Sequence, residues 1–202
     1  MPTILRSLQR LLKLLEAKNV PYMIIGGYAL PFYGRIRATV DIDLAVAIKT
    51  EKELNQLLNL LRSADFEPTI ASPNNPLIVV LDRKEKIELE LWLKPDGVVF
   101  GDETLRKRQK AEISANFWAW IISAEDFIVS KLARPDRGTT DEQDVKSVLI
   151  RQANKLDNEY LQRRAEKLEY SQFYRLSKLR EARFMGSNPA RCINAEPPKS
   201  AI

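Results

Sequence analysis

Histidine is absent from all 202 residues, and a single cysteine, Cys192, stands near the end of the chain. The first absence removes the commonest general acid–base side chain and the commonest zinc ligand. The second leaves no partner for an internal disulfide and no thiolate cluster for a soft metal. Any metal chemistry therefore falls to oxygen donors, which select magnesium, calcium or manganese. No apolar run approaches the roughly 20 residues that a membrane helix needs. The opening MPTILRSLQR lacks the charged, apolar and small-residue order of a secretory signal. A cytoplasmic protein with no membrane association is expected.

Apolar residues make up 45% of the chain and charged residues 29%, an ordinary globular balance, and the length suits one large domain or a core with an appendage. The net charge of +5 is unevenly placed. Residues 151–202 hold 11 Lys or Arg against 6 Asp or Glu, whereas residues 1–150 hold 21 of each sign. A basic helical segment of this kind is either a solvated face or an electrostatic footprint for nucleic acid or an acidic partner.

Apolar spacing at Ile4, Leu5, Leu8, Leu11, Leu12 and Leu15 predicts an amphipathic helix. Val20–Ile25 then reads as a short buried strand, broken by Gly26 and Gly27 and followed by a short helix over YALPFY. A second strand is expected over Val40–Ile48, and Thr50 with Glu53 forms the capping box of a helix through about Ala64. Leu77–Leu81 and Ile87–Leu93, split by DRKEK, predict a hairpin. EISANFWAWIIS reads as one or two strands, or a strand and a bend. Ser123 caps a helix over AEDFIVSKLA, and Thr140 with Gln143 is expected to cap the next. Further helices are expected over about Asn158–Glu169 and Gln172–Arg183. The organisation expected is a core over 1–122, a helical region over 123–184 and a disordered, Pro- and Ser-rich tail over 185–202.

Within VDIDL, strand alternation sends Ile42 and Leu44 to the core and places Asp41 and Asp43 on the opposite face, about 7 Å apart. Such carboxylates repel unless a cation lies between them, so the pattern points to a divalent metal site; an exposed pair at a strand end is the plain alternative. A strand–Gly-Gly–helix turn lets backbone N–H groups approach a phosphate, or it is simply a turn.

IIGGYAL followed by RATVDIDL resembles the h-G-[GS] and [DE]-h-[DE]-h signature of the DNA polymerase β-like nucleotidyltransferase superfamily. The run Arg37-x-Thr39-x-Asp41-x-Asp43 resembles in particular its AbiEii-type toxin branch. Three shorter motifs of that branch are matched in order: Lys86-Ile87-Glu88, EDFIVSK ending at Lys131, and Asp141-x-x-Asp144. Gly27 stands where the toxins often carry serine, and Glu88 where many superfamily members carry aspartate. The resemblance implies an α/β (α+β) fold, a mixed sheet flanked by helices with a helical C-terminal region. It implies transfer of a nucleoside monophosphate from a nucleoside triphosphate such as ATP to a hydroxyl, with Mg2+ or Mn2+ held by Asp41, Asp43 and Glu88. Lys131 would contact the triphosphate, and Gly26, Gly27, Arg37, Thr39, Lys86, Asp141 and Asp144 would bind the nucleotide. Glu90 shares the face of Glu88 and could replace it as the third carboxylate, but Lys86 ahead of Glu88 favours the latter. The excess basic charge favours RNA, including tRNA, or a protein side chain as acceptor over an aminoglycoside-like small molecule. A toxin of this branch would also have a cognate antitoxin as partner. A catalytically weak binding module is the competing class.

Overall fold

The computed structural model describes residues 2–72, 75–93, 101–134 and 136–166. Helix α1 (Thr3–Ala17) buries Leu8, Leu11, Leu12 and Leu15, the stripe its spacing predicts. Then follow β1 (Tyr22–Ile24), α2 (Gly26–Ala29), a 3-10 turn over Leu30–Phe32, β2 (Asp43–Val46) and α3 (Glu51–Ser63). Strands β3 (Phe66–Ser72), β4 (Asn75–Asp82) and β5 (Ile87–Trp92) form a meander. Helix α4 (Asp102–Lys107) leads to the hairpin of β6 (Gln109–Ser114) and β7 (Phe117–Ile121), and α5 (Ala124–Ala133), α6 (Thr139–Arg151) and α7 (Asn158–Glu166) complete the described chain.

The strands make one seven-stranded sheet in the order β3-β4-β5-β2-β1-β7-β6. It is mixed: β2 runs parallel to β5 and β1 parallel to β7, while the other pairs are antiparallel. This is the helix-flanked mixed sheet that the resemblance implies. No helix among the described residues is long and apolar enough to cross a membrane. One hydrophobic cluster extends from Leu8 to Ala165. Among its buried ionic groups is Asp126, which accepts from Arg164 Nε at 2.8 Å and Tyr160 Oη at 2.7 Å and so pins α7 onto α5. A buried carboxylate needs such donors, because unpaired it would be strongly destabilising.

Local signals near the site behave as their chemistry dictates. Thr50 and Glu53 form the reciprocal capping box, and Ser123 accepts from the Asp126 N–H. Helix α6 differs: it starts two residues earlier than a Thr140 cap implies, and the Asp141 carboxylate, not Gln143, reaches back to the Gly138 N–H at 3.3 Å. Strand β2 is shorter than Val40–Ile48, because its partner β5 begins to pair only at Ile42, whose carbonyl accepts from the Glu90 N–H; Val40 is left 83% exposed. Strand β3 and helix α4 have no counterpart in the sequence reading. FEPTIAS carries a proline and polar residues and is held as a strand by its pairing with β4. The expected helix over Gln172–Arg183 and the expected tail over 185–202 lie outside the described residues.

Candidate active site

Parallel pairing of β2 with β5 sets Asp43 opposite Glu90. Side chains alternate along a strand, so Glu90 and Trp92 leave β5 on the same side, and both reach the Asp43 carboxylate. The Trp92 indole N–H donates to Asp43 Oδ1 at 3.3 Å and to Glu90 Oε2 at 3.1 Å. Burial, followed by the hydrogen bond and charge of Asp43 and the charge of Asp41, pushes the Glu90 carboxyl up to about 7. The residue beside Asp43 is therefore Glu90 and not Glu88. Glu88 shares the face of Glu90, but it precedes the point where β2 begins and is exposed. Lys86 is also set apart. It sits in the β4–β5 turn with φ +59, four residues or about 13 Å of strand from Glu90. That turn belongs to α1 instead, where Ser7 and Arg10 donate to the buried Asp82 and Arg6 pairs with Glu85.

The glycine pair is fitted to this carboxylate. Gly26 has φ +63, and a Cβ placed on it would lie 2.0 Å from Asp43 Oδ2, so Asp43 packs directly on its backbone. At Gly27 a Cβ would lie 2.7 Å from Thr39 Oγ1 and 3.3 Å from an Arg37 nitrogen. Serine does not fit there while Thr39 stays in place, and the hydroxyl in that space is the one Thr39 supplies. Thr39 Oγ1 also donates, at 3.4 Å, to the carbonyl of Asp41, which is exposed just ahead of β2.

On the other side of the glycines, α6 gathers the cations. Lys131 closes α5 with its side chain 8% exposed and donates to Asp141 Oδ1 at 2.7 Å, with Asp144 Oδ2 at 3.7 Å. Asp144 is fully buried and also accepts from Arg35 Nε at 2.8 Å and Arg37 Nη2 at 3.1 Å. Arg37, Lys131, Asp141 and Asp144 thus form one network. Arg35 belongs to it without having been singled out from sequence; the available signal is its two-residue spacing from Arg37 in an extended segment, which aims both side chains one way. Arg35 also donates to Gln143, and its backbone N–H bonds Ser147, so α6 holds the whole segment.

Two cavities flank the glycine pair. One, of about 110 Å³, is walled by Gly26, Asp43, Trp92, Lys131 and Arg134, and the other, of about 360 Å³, by Gly27, Tyr28, Phe32, Arg37 and Thr39. A larger cavity of about 690 Å³ lies between the exit of α1, the end of β2 and α3, and contains none of these residues. Among the described residues no group of three or more His, Cys, Asp or Glu side chains is placed to hold a metal ion. Asp43 and Glu90 are nonetheless oxygen donors of the kind a hard divalent cation takes, and Glu90, raised first by burial and then by Asp43, is a group that such a cation would relieve.

No protein of curated function matches the sequence. Among solved structures, an antigenic nucleotidyltransferase-like protein from Paracoccidioides brasiliensis is 20% identical, with a TM-score of 0.54 over 90% of this chain and 89% of its own. The antibiotic-resistance factor ANT(2'')-Ia, in complex with adenylyl-2''-tobramycin, is 13% identical, with a TM-score of 0.51 over 88% of this chain and 99% of its own. Its solution structure gives 0.52 over 88% and 95%. These likenesses show a shared nucleotidyltransferase fold. The model of the family described as nucleotidyltransferases of unknown function, DUF6036, matches residues 3–185, and the chain belongs to that family.

Proposed function

We propose that the chain transfers a nucleoside monophosphate from a nucleoside triphosphate to a hydroxyl of RNA, with Asp41, Asp43 and Glu90 as its working carboxylates. The observation that carries this reading is Asp43, set opposite Glu90 by register and packed on the Gly26 backbone, with Lys131 across the same cavity. Asp41, Asp43 and Glu90 would hold Mg2+ or Mn2+, which supplies positive charge to the triphosphate and the departing pyrophosphate. The glycine pair leaves room for phosphate oxygens against the backbone. Lys131 and Arg37 offer cations to those oxygens, held in place by Asp141 and Asp144. Glu90 takes the proton of the acceptor hydroxyl. The hydroxyl oxygen then bonds to the α-phosphorus as the bond to the bridging oxygen breaks, and pyrophosphate leaves.

RNA is favoured as acceptor by charge. Residues 167–202 hold seven Lys or Arg against three Asp or Glu. The resemblance of the Arg37–Asp43 run to the AbiEii branch supports a toxin role with tRNA as target and an antitoxin as partner. The deciding experiment incubates the protein with Mg2+ and each α-labelled nucleoside triphosphate in the presence of total RNA, protein or an aminoglycoside, with Asp43→Asn as control. Label on RNA is the expected result. Label on protein or on the aminoglycoside overturns the acceptor, and no transfer under any condition overturns the enzyme in favour of a binding module. RNA affinity should also fall steeply with salt, and a chain ended after Glu166, which keeps α7 in the core, should show a flatter slope.

A further inference from the structure

Two carboxylates that face each other across a parallel strand pair, as Asp43 and Glu90 do, are driven either to rotate apart or to share a proton. A lysine or arginine between them would suppress the repulsion but would also occupy the charge that a metal ion needs. Lys131, the nearby cation, is turned instead to Asp141 and Asp144. The group that meets both carboxylates is Trp92. Its indole carries one N–H donor and no acceptor, so it can only favour the anions, and it does so without adding a formal charge. Register makes this possible. Trp92 lies two residues beyond Glu90 on the same face and pairs across to Ala45, whose small side chain leaves the ring room beside Asp43. The ring also walls the 110 Å³ cavity that holds Gly26 and Asp43.

We infer that Trp92 is the positioning residue of this pair: its N–H converges one oxygen of Asp43 and one of Glu90, and so sets how tightly a divalent cation is held between them. The inference rests on the metal-site reading above. Donors in the shell behind metal ligands fix the orientation of those ligands, and their loss typically costs about tenfold or more in metal affinity.

Of the three tryptophans, the indole resonance of Trp92 is identified in a 15N-labelled sample by its loss in Trp92→Phe, which keeps a ring and removes the donor. Titrating wild type with Mg2+ should move that resonance, and Asp43→Asn should abolish the movement. Trp92→Phe, measured by calorimetry with Mn2+, should require about tenfold more ion for half-saturation. An indole signal that stays fixed while calorimetry records Mg2+ bound overturns the inference, as does wild-type Mn2+ affinity in Trp92→Phe. If that variant does not fold, Trp92 is assigned as the resonance that survives in both Trp118→Phe and Trp120→Phe, and the wild-type titration decides. Failure of wild type to bind Mn2+ at all overturns the metal reading itself, whereas Mn2+ binding that Asp43→Asn loses and Trp92→Phe keeps at wild-type affinity overturns the Trp92 role alone.

Discussion

Glu90→Gln exchanges one carboxylate oxygen for an NH2 group while keeping the length of the side chain and an oxygen to accept from Trp92. In the metal-free protein, burial and Asp43 lift the Glu90 carboxyl from 4.5 to about 7. At about 1.36 kcal/mol per unit this lift amounts to no more than about 3.4 kcal/mol. Glu90 is only half-buried, and screening by solvent reduces the figure to about 1–2 kcal/mol. The folded protein binds this proton more tightly than the unfolded chain, so the stabilisation is full below about 4.5 and is lost as pH rises through about 7. Glutamine has no proton to lose. In EDTA, wild type and Glu90→Gln should therefore melt together near the acid end, whereas near pH 8 the variant should melt higher by about 2–8 °C. Adding Mg2+ near pH 8 should raise wild type alone and close the gap. Scanning calorimetry at a series of pH values reads both effects. The reasoning is refuted if the variant melts lower near pH 8, or if Glu88→Gln gives the same pH-dependent gain.

Asp41→Asn and Asp43→Asn should each abolish Mg2+-dependent nucleotide transfer while circular dichroism shows the fold retained; full activity in either sinks the carboxylate reading. Asp144→Ala leaves Arg35, Arg37 and Lys131 without their buried anion and should destabilise the protein by about 3–5 kcal/mol, read by denaturant titration. Gly26→Ala combines a positive φ with a Cβ driven into Asp43, so it should cost about 1–3 kcal/mol and most of the transfer activity. An active and fully stable alanine variant would refute the close packing described there.

The elements around the site were largely legible in the sequence because their signals are local. The Ile42 and Leu44 alternation, the Thr50–Glu53 box, the Ser123 cap and the β4–β5 hairpin each depend on residues a few positions apart. The choice between Glu88 and Glu90 does not. A period of two gives them the same face, and only the register of β5 against β2, a pairing between segments some forty residues apart, selects Glu90. The same register brings Trp92 to Asp43. Strand β3 was hidden because Pro68 and Glu67 interrupt its strand formers Phe66, Thr69 and Ile70, and pairing with β4 holds it. Arg35 was hidden because its partner lies 109 positions away. The Gly27 departure from the toxin pattern acquires a reason only in three dimensions, where Thr39 fills the space a serine would need.

The Asp144 junction also sets an order of events during synthesis. Arg35 and Arg37 are made 109 and 107 residues before the carboxylate that fixes them. The segment from Gly34 to Arg37 therefore takes its place only when α6 packs against it. Long-range closures of this kind come late in folding. The wall formed by Arg35, Arg37 and Lys131 is thus completed by the docking of α6, whose Asp141 and Asp144 hold all three side chains.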